Sequence, residues 1–150
     1  MSDVYAPLRL ENQLCFPLYA ASRALIRKYH PILSALDLTY TQYLALMVLW
    51  ASDGLSVKDL GAQLYLDSGT LTPLLKSMEQ KGLIVRRRSE SDERCVTVSL
   101  TEAGWAMRDK ALSVPAQVGR CIKLDGAEAM ELYTLLYKLL GELNGGEDAE

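Results

Sequence analysis

The stretch of sequence that identifies the fold covers residues 55–100 and reads LSVKDLGAQLYLDSGTLTPLLKSMEQKGLIVRRRSESDERCVTVSL. It begins with a short helix pattern that Ser56 can cap. After a brief turn, Asp67 opens a second helix, and Gly82 suits the left-handed residue that ends a helix. The run LIVRRR, a polar tip and the alternating CVTVSL then predict a β-hairpin. Two short helices followed by a basic hairpin are the order of a winged helix-turn-helix.

Prolines set the expected limits of two helices. Pro73 predicts that the second helix of the motif either starts as late as Thr70 or carries a kink, because proline is tolerated only in a first turn. Nearer the N-terminus, an apolar stripe predicts a helix over about residues 8–29. Pro17 marks either a kink in that helix or the start of its regular part, and Pro31 is expected to break or bend it.

Capping residues predict three further helices. Thr39 or Thr41 can cap a helix ahead of the motif. Thr101 is expected to cap a long helix that reaches toward Pro115 or resumes beyond it to Ile122. Asp125 precedes a last helix with a leucine-rich face. The chain is therefore expected to be mostly α-helical with a small β-hairpin wing, an α+β fold.

The predicted organisation is a single domain over residues 1–150, with the winged helix-turn-helix at about 55–101 and dimerisation helices at about 8–35 and 102–143. The first and last helices have apolar faces wider than a small winged domain can cover. Pairing with a second copy would bury these faces and set two DNA-reading helices one turn of duplex apart. The alternative is that they pack inside one chain as an extended core.

Composition excludes several classes of protein. No apolar run is long enough to cross a bilayer, and the N-terminal residues lack the basic cluster and cleavage site of a secretory signal, so a cytoplasmic location is expected. The three cysteines are Cys15, Cys95 and Cys121, and His30 is the one histidine. This set fits neither a disulfide-stapled scaffold nor a zinc cluster, and no metal or cofactor is expected.

Charge distribution favours a nucleic-acid partner more than net charge does. The chain carries a net charge of -3, but six basic residues outnumber four acidic ones between Lys76 and Arg94. Small side chains at the start of the second helix let its N-terminus approach bases and phosphates. The candidate DNA-binding residues are Ser68, Gly69, Thr70, Thr72, Pro73, Lys76, Arg86, Arg88, Asp92 and Arg94. The alternative is that this stretch only caps a helix and the hairpin is only solvated.

The same region resembles the DNA-binding core of the MarR family of bacterial repressors. The matching segments are LGAQL (60–64), DSGTLTPLL (67–75), EQKGLI (79–84), DER (92–94) and LTEAG (100–104). The resemblance implies a homodimeric repressor on double-stranded, palindromic operator DNA. It also implies that Asp92 and Arg94 brace or present the wing, with Arg94 entering the minor groove.

The N-terminal segment LENQLCFPLY (10–19) is similar to the thiol-bearing segment of the organic hydroperoxide resistance regulators, a branch of the MarR family. The resemblance implies that organic hydroperoxides oxidise Cys15, and that Tyr29 and Tyr40 hydrogen-bond its thiolate. Phenol O–H donors would stabilise that anion, and the apolar neighbours of Cys15 would favour bulky peroxides. The alternative is that Cys15 is a small buried hydrophobic residue.

A second thiol is implied by the two-cysteine members of this branch. There, a cysteine of the partner subunit resolves the sulfenic acid into an intersubunit disulfide, and Cys121 occupies the corresponding place. Cys95 is assigned no role.

Three other functions remain to be weighed. A MarR-type repressor could instead release DNA on binding a small aromatic or phenolic ligand, with Cys15 inert. A thiol peroxidase fits poorly, because nothing resembles a thioredoxin-type order of strands and helices, so the chain is not expected to be an enzyme. A pure dimerisation module leaves the polar residues 68–72 unexplained.

Overall fold

The computed structural model describes residues 3–89, 91–92 and 94–145. Two short 3-10 turns, Ala6–Leu8 and Leu10–Asn12, precede α1 (Cys15–Ser34) and α2 (Tyr40–Ala51). The winged helix-turn-helix follows as β1 (Leu55–Ser56), α3 (Val57–Leu64), α4 (Ser68–Gln80), β2 (Ile84–Arg88) and β3 (Val96–Leu100). The chain then forms α5 (Glu102–Ala111), α6 (Val114–Gly119) and α7 (Gly126–Asn144).

The prolines of α1 have different consequences. Pro17 lies in its first turn, which confirms that the regular helix begins near this residue. Pro31 lies inside the helix, so the expected break there is wrong. Only one helical hydrogen bond is lost at Pro31, while Leu33 is fully buried and Tyr29 packs against the core. Burial of this last part of α1 outweighs that loss.

Side-chain caps start most of the other helices. Thr39, rather than Thr41, caps α2: its Oγ1 accepts a hydrogen bond from the Gln42 N–H at 3.2 Å, while Gln42 Oε1 accepts from the Thr39 N–H at 3.1 Å. This reciprocal pair is a capping box. Thr101 caps α5, as predicted. Asp125, which was expected only to precede the last helix, caps α7.

The second helix of the motif begins earlier than one alternative predicted. Asp67 is its N-cap and accepts a hydrogen bond from the Thr70 N–H at 2.8 Å, so a start at Thr70 is wrong. Pro73 consequently lies inside α4, on its exposed side. Gly82 has φ +70° as predicted, and the Leu83 N–H donates to the Met78 carbonyl at 3.0 Å, which closes the helix end.

The sheet contains one strand more than the hairpin predicted. β2 and β3 pair antiparallel with Ile84 opposite Leu100, and the two-residue β1 joins the other edge of β3. Two residues are too few to show alternation in a sequence. The helix that was expected to reach toward Pro115 ends earlier, at Ala111, and helical structure resumes as α6, with Pro115 in its first turn.

The core lies beneath α2, α3, α4 and the sheet. Its fully buried side chains are Leu33, Leu46, Leu49, Leu60, Leu71, Leu75, Met78, Ile84, Val98 and Val114. The chain divides into two compact units, Met1–Val118 and Gly119–Glu150, a division that the prediction of a single domain did not include. In the described part of the chain, no helix is long and apolar enough to cross a membrane.

Candidate nucleic-acid interface and redox site

The outer face of α4 carries the predicted contact residues. Leu71, Leu74, Leu75 and Met78 form its buried face, and this packing turns the opposite side toward solvent. The exposed residues are Ser68, Gly69, Thr70, Thr72, Pro73 and Lys76. The structure therefore brings all six candidates of this helix onto one accessible surface.

The wing places two arginines beside that surface. Arg88 ends β2 and Arg94 lies at the tip, and both are exposed. Asp92 Oδ1 accepts a hydrogen bond from the Arg94 N–H at 3.0 Å, and its carbonyl accepts from the Cys95 N–H at 2.9 Å. These contacts agree with a bracing role for Asp92. Two further tip residues, Glu90 and Glu93, lie outside the described residues.

Arg86 binds within the protein. Its Nε and Nη2 donate to Glu79 Oε2 at 3.1 and 2.8 Å, and its backbone N–H donates to Oε1 at 3.1 Å. These hydrogen bonds from Arg86 hold the pKa of Glu79 below its usual value of 4.5. Arg86 therefore fixes β2 against α4, and its charge is largely offset by Glu79.

A cleft of about 700 Å³ lies among α3, α4 and the wing. Five predicted residues line it: Ser68, Thr72, Arg86, Asp92 and Arg94. Lys58, which sequence reasoning missed, lines it too. Lys58 is an isolated cation in α3, so only the fold shows that it adds to the positive charge of this cleft. Such a cleft suits a polyanion.

Cys15 is the first residue of α1 and is exposed, as is its neighbour Leu14. The alternative that it is a buried hydrophobic residue is therefore wrong for the single chain. Phe16 and Leu18 are also exposed, so the residues next to Cys15 in the chain present apolar side chains to solvent.

Tyr29 and Tyr40 form a pair, with ring centroids 4.7 Å apart, and Tyr43 extends the cluster at 6.1 Å from Tyr29. Burial raises the pKa of Tyr29 and Tyr40 above the usual 10.0, and the nearby Tyr29 adds to the increase at Tyr40. Both phenols therefore keep their protons at neutral pH and can donate to an anion. Tyr43 was missed by sequence reasoning because only the packing of α1 on α2 gathers these rings.

One chain does not bring the predicted redox residues together. Cys15 and Tyr29 lie on the same helix, and a rise of about 1.5 Å per residue separates them by about 21 Å along its axis. Cys121 is exposed in the segment between α6 and α7, and Cys95 is partly buried at the wing. Among the described residues, no group of three or more His, Cys, Asp or Glu side chains could hold a metal ion.

A DNA-reading helix beside a basic hairpin, on a mostly helical scaffold, defines the winged-helix class of regulators. A family model described as transcriptional regulator SarA/Rot matches residues 27–110, more than half of the chain. The organic hydroperoxide resistance transcriptional regulator of Bacillus subtilis (strain 168) is 51% identical over 96% of this chain and 98% of its own. The chain belongs to the MarR family, in its organic hydroperoxide resistance regulator branch.

Solved structures agree with this assignment. Reduced AbfR bound to DNA, a Staphylococcus epidermidis protein, superposes with a TM-score of 0.79 at 33% identity, covering 92% of this chain and 94% of its own. The disulfide-formed state of AbfR gives a TM-score of 0.65 at 34% identity, covering 91% of this chain and 93% of its own. The chain is thus similar in fold to one regulator in both thiol states.

Proposed function

We propose that the protein is a homodimeric transcriptional repressor that binds operator DNA when Cys15 is reduced and releases it when organic hydroperoxides oxidise Cys15. The observation that carries the proposal is the presence, in one chain, of two features: a solvent-facing α4 beside a cationic wing, and an exposed thiol at the N-terminus of α1. Action on genomic DNA also fits the predicted cytoplasmic location.

The outer face of α4 enters a major groove in this proposal. Gly69 and Thr72 are small enough for close approach to base edges, and Lys76 reaches a phosphate. Arg94, at the wing tip, extends into the neighbouring minor groove, while Arg88 contacts the backbone. Arg86 acts by positioning the wing through Glu79.

The sensor is completed by a second copy of the chain. The N-terminal segment exposes Val4, Tyr5, Leu8, Leu10 and Leu14, an apolar surface that a partner can bury. Because Cys15 cannot reach Tyr29 along its own helix, it meets Tyr29 of the partner subunit and Tyr40 of the partner subunit. Those protonated phenols donate hydrogen bonds to its thiolate.

The chemistry is a two-electron oxidation of sulfur. The Cys15 thiolate attacks the terminal oxygen of the hydroperoxide, so that an S–O bond forms, the O–O bond breaks, and the alkoxide leaves and takes up a proton as an alcohol. The thiolate of the partner's Cys121 then attacks the sulfenic sulfur. A disulfide forms, and the hydroxide that leaves is protonated to water.

The test begins with a duplex selected from a random-sequence pool by the reduced protein. At fixed salt, wild-type protein treated with cumene hydroperoxide is expected to stop binding this duplex, while the Cys15→Ser variant treated in the same way still binds it. Loss of DNA by the treated Cys15→Ser variant would refute the thiol switch. Cys95→Ser is the matched control and should respond like the wild type.

The resolving role of Cys121 is tested on non-reducing gels. Peroxide is expected to produce a covalent dimer of the wild type, but none of Cys121→Ser. Persistence of that dimer in Cys121→Ser would assign the resolving thiol elsewhere. Sustained peroxide consumption with a thiol reductant, in a protein without DNA affinity, would instead indicate a peroxidase.

The DNA interface has its own test at the wing. Arg94→Ala is expected to weaken binding of the selected duplex by roughly tenfold or more, the usual effect of losing a groove contact. Arg108→Ala, which removes an exposed arginine from α5, serves as the control. Equal affinities for the two variants would exclude Arg94 from the interface.

A second candidate function rests on a cleft of about 370 Å³ between the end of α1 and α5–α6. Its lining includes Pro31, Ile32, Leu36, Lys110 and Val114, which suits a small aromatic acid. A repressor of this kind would release DNA on adding an aromatic carboxylate such as salicylate, while Cys15 stays reduced. That result, together with no effect of peroxide, would favour this second candidate.

A further inference from the structure

Gln42 is the single buried polar residue that the structure describes, with 2% of its surface exposed. Its amide is hydrogen-bonded on both sides. Oε1 accepts from the Thr39 N–H at 3.1 Å and from Lys81 Nζ at 3.3 Å, and Nε2 donates to Ser77 Oγ at 3.0 Å. Ser77 and Lys81 are 35 and 39 residues from Gln42, so these two contacts form only when α2 packs against α4.

Lys81 extends the contact to the turn between α1 and α2. Its Nζ donates to the Asp37 carbonyl and lies 3.3 Å from Asp37 Oδ1. Asp37 itself has φ +54°, a left-handed conformation that is uncommon for a residue other than glycine. We call the group Asp37, Thr39, Gln42, Ser77 and Lys81 the polar clamp.

The polar clamp joins the two sites of the proposed function. Its α1–α2 end adjoins Tyr40, the first residue of α2, whose ring packs on Tyr29. Its other end is the last turn and C-cap of α4, the helix whose outer face carries the DNA-binding candidates.

We infer that the polar clamp transmits the state of the thiol site to α4, with Gln42 as its central positioning residue. The inference rests on the proposed function, because Tyr29 and Tyr40 belong to the sensor only there. A movement of the first turn of α2 either carries the end of α4 with it or leaves the buried amide of Gln42 without partners. Because an unpaired buried amide is unfavourable, α4 moves with α2 as a rigid helix.

The experiment compares the affinity of reduced and peroxide-oxidised protein for the selected duplex at fixed salt. Its readout is the ratio of the two dissociation constants. Ser77→Ala removes the acceptor for Gln42 Nε2, and Lys81→Met removes the cation. Each is expected to lower the ratio by about fivefold or more, the size of a typical coupling between sites. The rate of Cys15 oxidation should stay at the wild-type value.

Gln42→Leu should lower the ratio further, and Ser77→Thr, which keeps a hydroxyl, should restore it. Ser113→Ala is the matched control, because the Ser113 hydroxyl contacts only Gln117, one helical turn away, among the hydrogen bonds described for it. A purely structural role for Ser77 would lower the unfolding temperature and weaken both states alike, leaving the ratio unchanged.

The experiment distinguishes failure of the proposed function from failure of the polar clamp. If oxidised wild-type protein keeps its DNA, the proposed function fails and the clamp has nothing to transmit. If the wild type releases DNA and both Ser77→Ala and Lys81→Met release it in the same ratio, only the polar clamp is refuted.

Discussion

At the scale of single residues, Tyr29 and Tyr40 show how packing prepares a side chain for a role. Desolvation by burial raises the pKa of both phenols above the usual 10.0, and a phenol with such a pKa is protonated at neutral pH. A protonated phenol donates to a thiolate, whereas an ionised one would repel it. The two rings pack with their centroids 4.7 Å apart.

Tyr29→Phe and Tyr40→Phe are each expected to slow oxidation of Cys15 by cumene hydroperoxide by roughly tenfold. A hydrogen bond to a charged group contributes about 1.5–3 kcal/mol, and its loss disfavours the reactive anion. The measurement is the loss of free thiol with time at pH 7. Tyr65→Phe is the control, because Tyr65 is an exposed tyrosine at the end of α3. If Cys15 is oxidised at the wild-type rate in both Tyr29→Phe and Tyr40→Phe, the two phenols are not part of the sensor.

Gly104 lies so close to the backbone of Leu83 that any side chain at this position would clash with it. A Cβ there would lie 2.1 Å from the Leu83 carbonyl oxygen, and the Gly104 carbonyl itself accepts a hydrogen bond from Trp50 Nε1 at 3.0 Å. The start of α5 therefore packs closely against the start of the hairpin and is hydrogen-bonded to α2.

Gly104→Ala is expected to lower the free energy of unfolding by about 1–3 kcal/mol, because the extra methyl forces the two segments apart. Gly119→Ala is the matched control, since an added Cβ there has no neighbour within 4 Å, and a change within about 0.5 kcal/mol is expected. Urea unfolding followed by circular dichroism measures both. Equal stability of the two variants would show that the contact relaxes freely.

At the scale of elements, the hydrogen bonds between Glu79 of α4 and Arg86 of β2, here called the α4–β2 link, fix the position of the wing. Glu79 on α4 binds both the guanidinium and the backbone N–H of Arg86 on β2. Three hydrogen bonds to one carboxylate restrict rotation of the hairpin about the end of α4. The wing arginines therefore keep a fixed relation to the outer face of that helix.

This link predicts a pH dependence of stability. Hydrogen bonds from Arg86 lower the pKa of Glu79 in the folded protein below its usual 4.5. A depressed carboxyl pKa stabilises the fold above the unfolded pKa, and that contribution is lost as the pH falls through the folded pKa. The melting temperature of the wild type should exceed that of Glu79→Gln at pH 7, and the difference should shrink below about pH 4.5.

Glu131→Gln, a substitution on the exposed surface of α7, controls for the loss of one negative charge. Its melting temperature should follow the wild type across the same pH range. A difference between the wild type and Glu79→Gln that stays constant down to pH 3.5 would contradict the assignment of the link to the charged carboxylate.

At the scale of the whole molecule, α7 is an amphipathic helix whose apolar face is exposed in the single chain. None of its residues is buried, and its exposed apolar side chains are Met130, Leu132, Tyr133, Leu135, Tyr137 and Leu143. So much apolar surface on one helix is typical of an interface between subunits. We assign it to the homodimer.

Leu135→Glu is expected to shift the protein from dimer to monomer in sedimentation velocity, because a charge replaces an apolar contact. Affinity for the selected duplex should fall by about a hundredfold, since two linked half-site contacts become one. The control, Lys138→Glu, changes charge on the same helix and should remain dimeric. A dimeric Leu135→Glu would place the interface elsewhere.

Local signals account for the parts of the fold that were predicted correctly. Thr39, Thr101 and Asp125 each cap a helix through a backbone N–H no more than three residues away, and Gly82 takes its left-handed conformation within a single turn. Such features depend on adjacent residues, so they can be read from the order of side chains. The hairpin is local in the same sense.

Several of the errors and omissions involve partners distant in the chain. Pro31 stays helical because the core buries its neighbours, and β1 exists because β3 offers it an edge. Lys58 lines the cleft among α3, α4 and the wing only because the fold places α3 beside the wing. None of these positions carries a local signal of its tertiary partner.

The sequence alone determined the class of the protein: helix order, capping residues, the basic hairpin and the segment around Cys15 are properties of neighbouring residues. Tertiary structure decided what those parts can do. It left Cys15 exposed at the start of α1, and it joined Gln42 to Ser77 and Lys81. The physical reason is that helix and turn energies act over a few residues, whereas burial and long-range hydrogen bonds depend on which surfaces meet.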